Sequence, residues 1–185
     1  IRVTVASVIP QIKKNWHKTR ENLFAAWAWF WFALLAPISW LGVALLPTKN
    51  LRWHFIRIVI KLFQTATATS LKVNGIQNLT PGKASIVICN HASYLDGMIL
   101  MAALPIQFKF VAKKELEKSF ISRVFLQRTG CLFVERFDVE HGAKDARQLQ
   151  QHVENGHSLV IFPEGTFTRV TGLRGFKMGA FNTAL

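Results

Sequence analysis

From Leu23 to Pro47 the chain reads LFAAWAWFWFALLAPISWLGVALLP, without one charged residue. The run exceeds the roughly 20 apolar residues with which a helix crosses a bilayer, so a membrane-embedded helical segment is the first expectation. It is too long for the apolar core of a signal peptide, and no clear small-residue cleavage pattern accompanies it. Pro37 interrupts it near its middle, and Trp27, Trp29, Trp31 and Trp40 are spread along it, although tryptophan favours the headgroup boundary. Basic residues flank both ends, Lys13, Lys14, Lys18 and Arg20 before it and Lys49, Arg52, Arg57 and Lys61 after it. That symmetry gives the positive-inside rule nothing to choose between. A single tilted span and a hairpin that enters one leaflet and returns both fit, with a buried core helix as the third reading. Leu51 to Phe63 mixes basic and apolar residues, as a helix along a lipid surface does.

Charge narrows the partners. Lysine and arginine number 23 against 10 acids, a net charge of +13 in 185 residues, which calls for an anionic partner or surface. Nucleic acid, anionic lipid headgroups and an acidic carrier protein qualify, and the apolar run favours lipid. The length suits one domain with an appendage. We divide it into a membrane-associated helical region, residues 1–64, and an α/β domain, residues 65–185. The last residues look helical, so the sequence reads as a piece of a longer protein whose domain continues. Cys89 and Cys131 sit in apolar strand-like runs and read as buried free thiols. None of the six histidines joins cysteines or acids at a familiar metal-ligand spacing, so no metal is expected.

Strand-like runs occur at 85–89, 108–112, 131–134 and 158–162, separated by helical patterns. The pattern from Val139 to Asn155 places Ala146, Leu149 and Val153 on one face, and Gly156 follows as its cap. Such alternation predicts an α/β layer with a largely parallel sheet flanked by helices. Ligand sites in these sheets collect beyond the carboxyl ends of the strands.

Three polar clusters fall there. After the first strand comes CNHASYLDG, residues 89–97. Ser93 to Asp96 can be read as a capping box, with Asp96 serving only the helix start. If His91 stays in the loop and Asp96 enters the first helical turn, the chain reverses and the carboxylate can reach the imidazole, leaving its other nitrogen as a base. After the third strand, GCLFVERFD delivers Arg136, whose guanidinium suits a phosphate unless it pairs at the surface with Glu135 or Asp138. After the fourth, IFPEGTFTR gathers Glu164, Gly165, Thr166, Thr168 and Arg169 around a turn that can also be a plain β-turn. Arg174 and Lys177 in LRGFKMGAF add cations downstream.

Taken together, NHASYLD, GCLFVER and FPEGT resemble, in order and spacing, the first three motifs of the lysophosphatidic acid acyltransferase-like family of glycerolipid acyltransferases. VAKKEL at 111–116 and FKMGAF at 176–181 are similar to the family as well, and the resemblance covers about residues 71–185. It implies catalytic His91 and Asp96, the first as general base, and an acceptor site of Arg136, Glu164, Gly165, Thr166, Arg169 and Lys177. The family commonly has arginine and serine directly after the motif-three threonine, whereas Phe167 and Thr168 precede Arg169 here.

The resemblance implies a membrane-bound enzyme at the cytoplasmic face of the inner or plasma membrane. It would move an acyl chain from acyl-coenzyme A or acyl carrier protein, as co-substrate, to a lysophospholipid hydroxyl, with no cofactor. Lysophosphatidic acid is the first acceptor; an amino-lipid, glycerol 3-phosphate or another lysophospholipid are alternatives. A non-catalytic basic protein on a membrane surface or nucleic acid explains the charge but not the three strand-end clusters, so nucleic acid is set aside as a partner.

Overall fold

The computed structural model describes residues 8–80, 82–91, 93, 95–104, 108–135, 139–165 and 175–176. Helix α1 runs unbroken from Val8 to Leu45, 38 residues, or about 57 Å at 1.5 Å per residue. Of the two membrane readings, a hairpin turn at Pro37 is not found: the helix continues through it. The chain reverses instead after Leu45, where Pro47 disfavours continuation and Thr48 starts a new helix, its hydroxyl accepting the Leu51 N–H at 3.3 Å. Helix α2, Lys49–Ala66, returns along α1, and the Trp27 indole donates to the Ala66 carbonyl at 2.8 Å. Within α1, Lys18–Leu45 is long and apolar enough to cross a membrane. Leu23, Phe24, Trp27, Trp29, Phe30, Leu34, Ile38 and Leu41 are all exposed along it.

Four short strands follow, β1 (Ile86–Ile88), β2 (Lys109–Lys113), β3 (Leu132–Val134) and β4 (Leu159–Ile161). They form one sheet in the order β1-β4-β2-β3, every pair parallel. Helices α3 (Asp96–Ala103), α4 (Phe120–Thr129) and α5 (Val139–Glu154) fill the crossovers. All four strands lie within a residue or two of the expected runs. Helix α5 is closed by Gly156, two residues past its end, whose φ of 81° lets its N–H and that of His157 close back on the Val153 and His152 carbonyls.

Side-chain alternation along the strands makes two cores. Phe110, Val160 and Phe162 face one way, against Trp53, Ile56 and Ile60 of α2 and Met101 and Leu104 at the α3 end. Val111, Leu159 and Ile161 face the other way, against Val134 and Leu149, with Val153 beside them. Burying each of the three large α2 side chains is worth about 1.5–3 kcal/mol, enough to dock this helix on the sheet. Leu51, Ile58 and Leu62 of α2 stay exposed.

Arg52 and Arg57, counted from sequence as flanking charges for lipid, are turned into the protein. Arg52 donates to the carbonyls of Leu46 (2.8 Å), Pro47 (2.9 Å) and Arg128 (3.0 Å). Arg128 in turn donates to Val43 (3.1 Å) and Leu46 (3.2 Å). Arg57 reaches the Met101 carbonyl at 3.0 Å and that of Leu104. Helix ends leave carbonyls without intrahelical partners, and a guanidinium satisfies several at once.

Candidate active site

Because the strands are parallel, the residues after β1 and β4 emerge at one sheet edge, and the strand order makes them neighbours. The Cys89 N–H bonds to the Ile161 carbonyl at 3.1 Å, extending the pairing one step beyond β1. His91 therefore arrives beside Phe162 and Glu164. Its ring stacks on Phe162 with centroids 4.3 Å apart and planes inclined by 24°. Its backbone N–H donates to Glu164 Oε1 at 2.9 Å, and Glu164 is buried at 7% exposure. Gly165 turns the chain there with φ 76°, its N–H bonding to the Phe162 carbonyl at 3.0 Å.

Asp96 is the first residue of α3, and among the described residues its carboxylate meets His91 and the Ser93 N–H. Oδ2 lies 2.8 Å from His91 Nδ1 and accepts the Ser93 N–H at 2.9 Å. The Ser93 hydroxyl accepts the Leu95 N–H at 3.1 Å, and the Asp96 N–H closes on the Ser93 carbonyl at 3.2 Å. The expected capping box is only half formed: Asp96 Oδ2 accepts the Ser93 N–H, but the Ser93 hydroxyl bonds to Leu95, which stands at the helix N-cap without a side-chain cap. With the carboxylate on Nδ1, the proton of a neutral imidazole sits there and Nε2 keeps the lone pair. Both side chains keep about a fifth of their surface exposed, 21% for His91 and 20% for Asp96, so a substrate can reach them.

Of the residues expected around a phosphate, Arg136, Thr166, Arg169 and Lys177 lie outside the described residues, as do Thr168 and Arg174. Glu135, next to Arg136, pairs with Lys114 at 3.2 Å. Phe162 and the Ser93 N–H were missed from sequence. The only available signal for Phe162 was its place just after a strand, which says nothing about which loop it meets.

The cysteines are partly buried free thiols. Burial, and secondly the Asp96 carboxylate, push the Cys89 thiol up; burial pushes that of Cys131 up to about 11. A thiol so raised is a poor nucleophile at neutral pH.

Comparison with known proteins identifies the family and the fold. A family model described as Acyltransferase matches residues 70–185. The chain is 29% identical over 141 residues to a probable 1-acyl-sn-glycerol-3-phosphate acyltransferase of Mycoplasma pneumoniae, covering 73% of this chain and 52% of that protein. It is 28% identical over 172 residues to a 1-acyl-sn-glycerol-3-phosphate acyltransferase of Chlamydomonas reinhardtii, with 90% and 52% covered. To a lyso-ornithine lipid O-acyltransferase of Pseudomonas aeruginosa it is 27% identical over 159 residues, with 84% and 56% covered. The chain thus spans about half the length of the curated relatives it matches. Its fold is similar to the crystal structure of the 1-acyl-sn-glycerophosphate (LPA) acyltransferase PlsC from Thermotoga maritima. The TM-score is 0.65 at 21% identity, over 90% of this chain and 70% of that one.

Proposed function

The chain belongs to the acyltransferase family, and we propose that it is a membrane-bound O-acyltransferase converting a lysophospholipid to a phospholipid, with lysophosphatidic acid as acceptor and phosphatidic acid as product. The observation that carries the reading is the His91 Nδ1–Asp96 Oδ2 contact of 2.8 Å at the carboxyl edge of the sheet. A glycerol hydroxyl is a weak nucleophile at neutral pH. His91 Nε2 takes its proton as the oxygen attacks the carbonyl carbon of an acyl thioester, and Asp96 stabilises the imidazolium that forms. Collapse of the tetrahedral intermediate breaks the carbon–sulfur bond. The Nε2 proton then passes to the departing thiolate, which restores neutral His91 and leaves a new ester.

Acyl-coenzyme A and acyl carrier protein both have the required thioester. Arg136, Thr166, Arg169 and Lys177 are the groups we assign to the acceptor phosphate, by charge and by their positions after β3 and β4. Glu164 and Gly165 form the turn that follows β4. The exposed apolar face of α1 suits a lipid surface where acyl chains partition, and we assign the protein to the cytoplasmic face of the membrane. A second acceptor reading, an amino-lipid, rests on two observations. Phe167 and Thr168 displace the usual arginine after the third motif, and one relative is a lyso-ornithine lipid O-acyltransferase.

The test offers lysophosphatidic acid, lyso-ornithine lipid and glycerol 3-phosphate to detergent-solubilised protein with each donor, and measures acylated product. Preferential conversion of lysophosphatidic acid supports the first reading. Preferential conversion of the amino-lipid transfers the proposal to the second, and product from none of them refutes both.

A further inference from the structure

At the amino edge of the sheet, opposite His91, four basic side chains converge from four segments. Lys109 opens β2, His152 lies in the last turn of α5, His157 stands just before β4, and Lys49 opens α2. Lys109 Nζ is 3.2 Å from His152 Nδ1, and the rings of His152 and His157 are 5.9 Å apart. Lys49 lies across Gly130, whose bare backbone makes room: a Cβ there would come within 2.6 Å of both Cε and Nζ of the lysine. Both lysines and His152 are half-buried, while His157 is exposed, so the group is open to solvent on one side. Among the described residues, no carboxylate forms an ion pair with any of the four. Cys131, which also lies near Lys49, has its thiol pushed up to about 11 by burial.

The charges here oppose one another. Burial first, and then the Lys109 charge, lower the pKa of Lys49, His152 and His157. With Lys109 donating to Nδ1 of His152, that ring carries its proton on Nε2 and presents it as a donor. Two ammonium groups and imidazole N–H donors gathered at one sheet edge, with no ion-paired carboxylate among the described residues, are stabilised together by a bound dianion. We propose that Lys49, Lys109, His152 and His157 form a phosphate-binding site, separate from the acyl-transfer site, for inorganic phosphate or the phosphomonoester headgroup of a lipid.

The test titrates His152 and His157 by NMR in ¹³C-histidine-labelled protein, with inorganic phosphate replacing chloride at constant ionic strength. A dianion favours the protonated rings, so saturating phosphate strengthens their proton affinity by about tenfold, and the effect is lost in Lys49→Gln and in Lys109→Gln. His157→Gln, at an exposed position, weakens phosphate binding several-fold without disturbing packing and covers the case in which a lysine variant fails to fold. Vesicles of phosphatidylcholine with phosphatidic acid, compared with phosphatidylcholine alone, identify the source. If vesicles with phosphatidic acid produce the effect at a far lower phosphate concentration than the free ion, the ligand is a headgroup; if only the free ion does, it is phosphate. A response that does not saturate, that chloride reproduces, or that survives the lysine substitutions overturns the site.

Discussion

Replacing Glu164 tests whether that carboxylate serves the acceptor or the base. Sequence placed it among acceptor-binding groups, yet its Oε1 accepts the His91 N–H at 2.9 Å from a position only 7% exposed. A hydrogen bond to a charged group contributes about 1.5–3 kcal/mol, and Glu164→Ala also leaves the His91 N–H without that acceptor. At roughly 2–4 °C per kcal/mol for a chain of this size, the melting temperature should fall by about 3–12 °C. Glu164→Gln keeps an oxygen acceptor and should lose about half as much. Releasing the His91 backbone lets the ring drift, and a displacement of about 1 Å in a reacting group costs on the order of 10²-fold in rate. Thiol release from the acyl donor at varied lysophosphatidic acid should therefore show kcat reduced about 100-fold in Glu164→Ala with the acceptor KM little changed. An unchanged kcat with a KM raised tenfold or more would refute the positioning role and return Glu164 to the acceptor site.

Asp96→Asn keeps the shape but loses the charge that orients His91, and turnover should fall by about 10²- to 10⁴-fold while circular dichroism is unchanged; a loss under tenfold would contradict the assigned pair. Arg52→Met keeps the aliphatic stem but abandons three carbonyls, so thermal unfolding should show a loss of about 1–3 kcal/mol, and an unchanged melting temperature would mean that the staple contributes nothing. With the Cys131 thiol at about 11, its thiolate fraction at pH 8 is roughly 0.1%; in a Cys89→Ala background, alkylation should rise about tenfold per pH unit through pH 9, where an ordinary cysteine levels off, and levelling near pH 8.5 would contradict the burial of its sulfur.

Elements with a strong local signal were legible in the sequence. Ile86-Val87-Ile88 and Leu159-Val160-Ile161 are short, wholly apolar and rich in β-branched residues, as strands are, and β4 is buried throughout; the helical spacing of Ala146, Leu149 and Val153 marked α5. The meeting of His91 with Asp96 was legible because it spans five residues and one turn. Its contacts with Phe162 and Glu164 were not, because they depend on β4 inserting between β1 and β2, a choice made by packing across more than 70 residues. Arg52 and Arg57 misled for a related reason. Arginine beside an apolar run looks the same in sequence whether it meets lipid headgroups or backbone carbonyls, and only the docking of α2 on α3 and α4 decides. Pro37 left the span and the hairpin both open in the sequence; the helix continues because the loss of one helical hydrogen bond is outweighed by the helix on either side, whereas Pro47 and Thr48 together end one helix and cap the next.

The measurement that bears most directly on the account compares acceptor-dependent thiol release from acyl-coenzyme A and acyl carrier protein by the wild-type protein and by His91→Ala, both detergent-solubilised and matched for melting temperature. The account predicts release that requires the lysophospholipid and falls by at least about 100-fold in the variant. Release that persists at the wild-type rate in folded His91→Ala would contradict it, because no base would then be needed at Nε2.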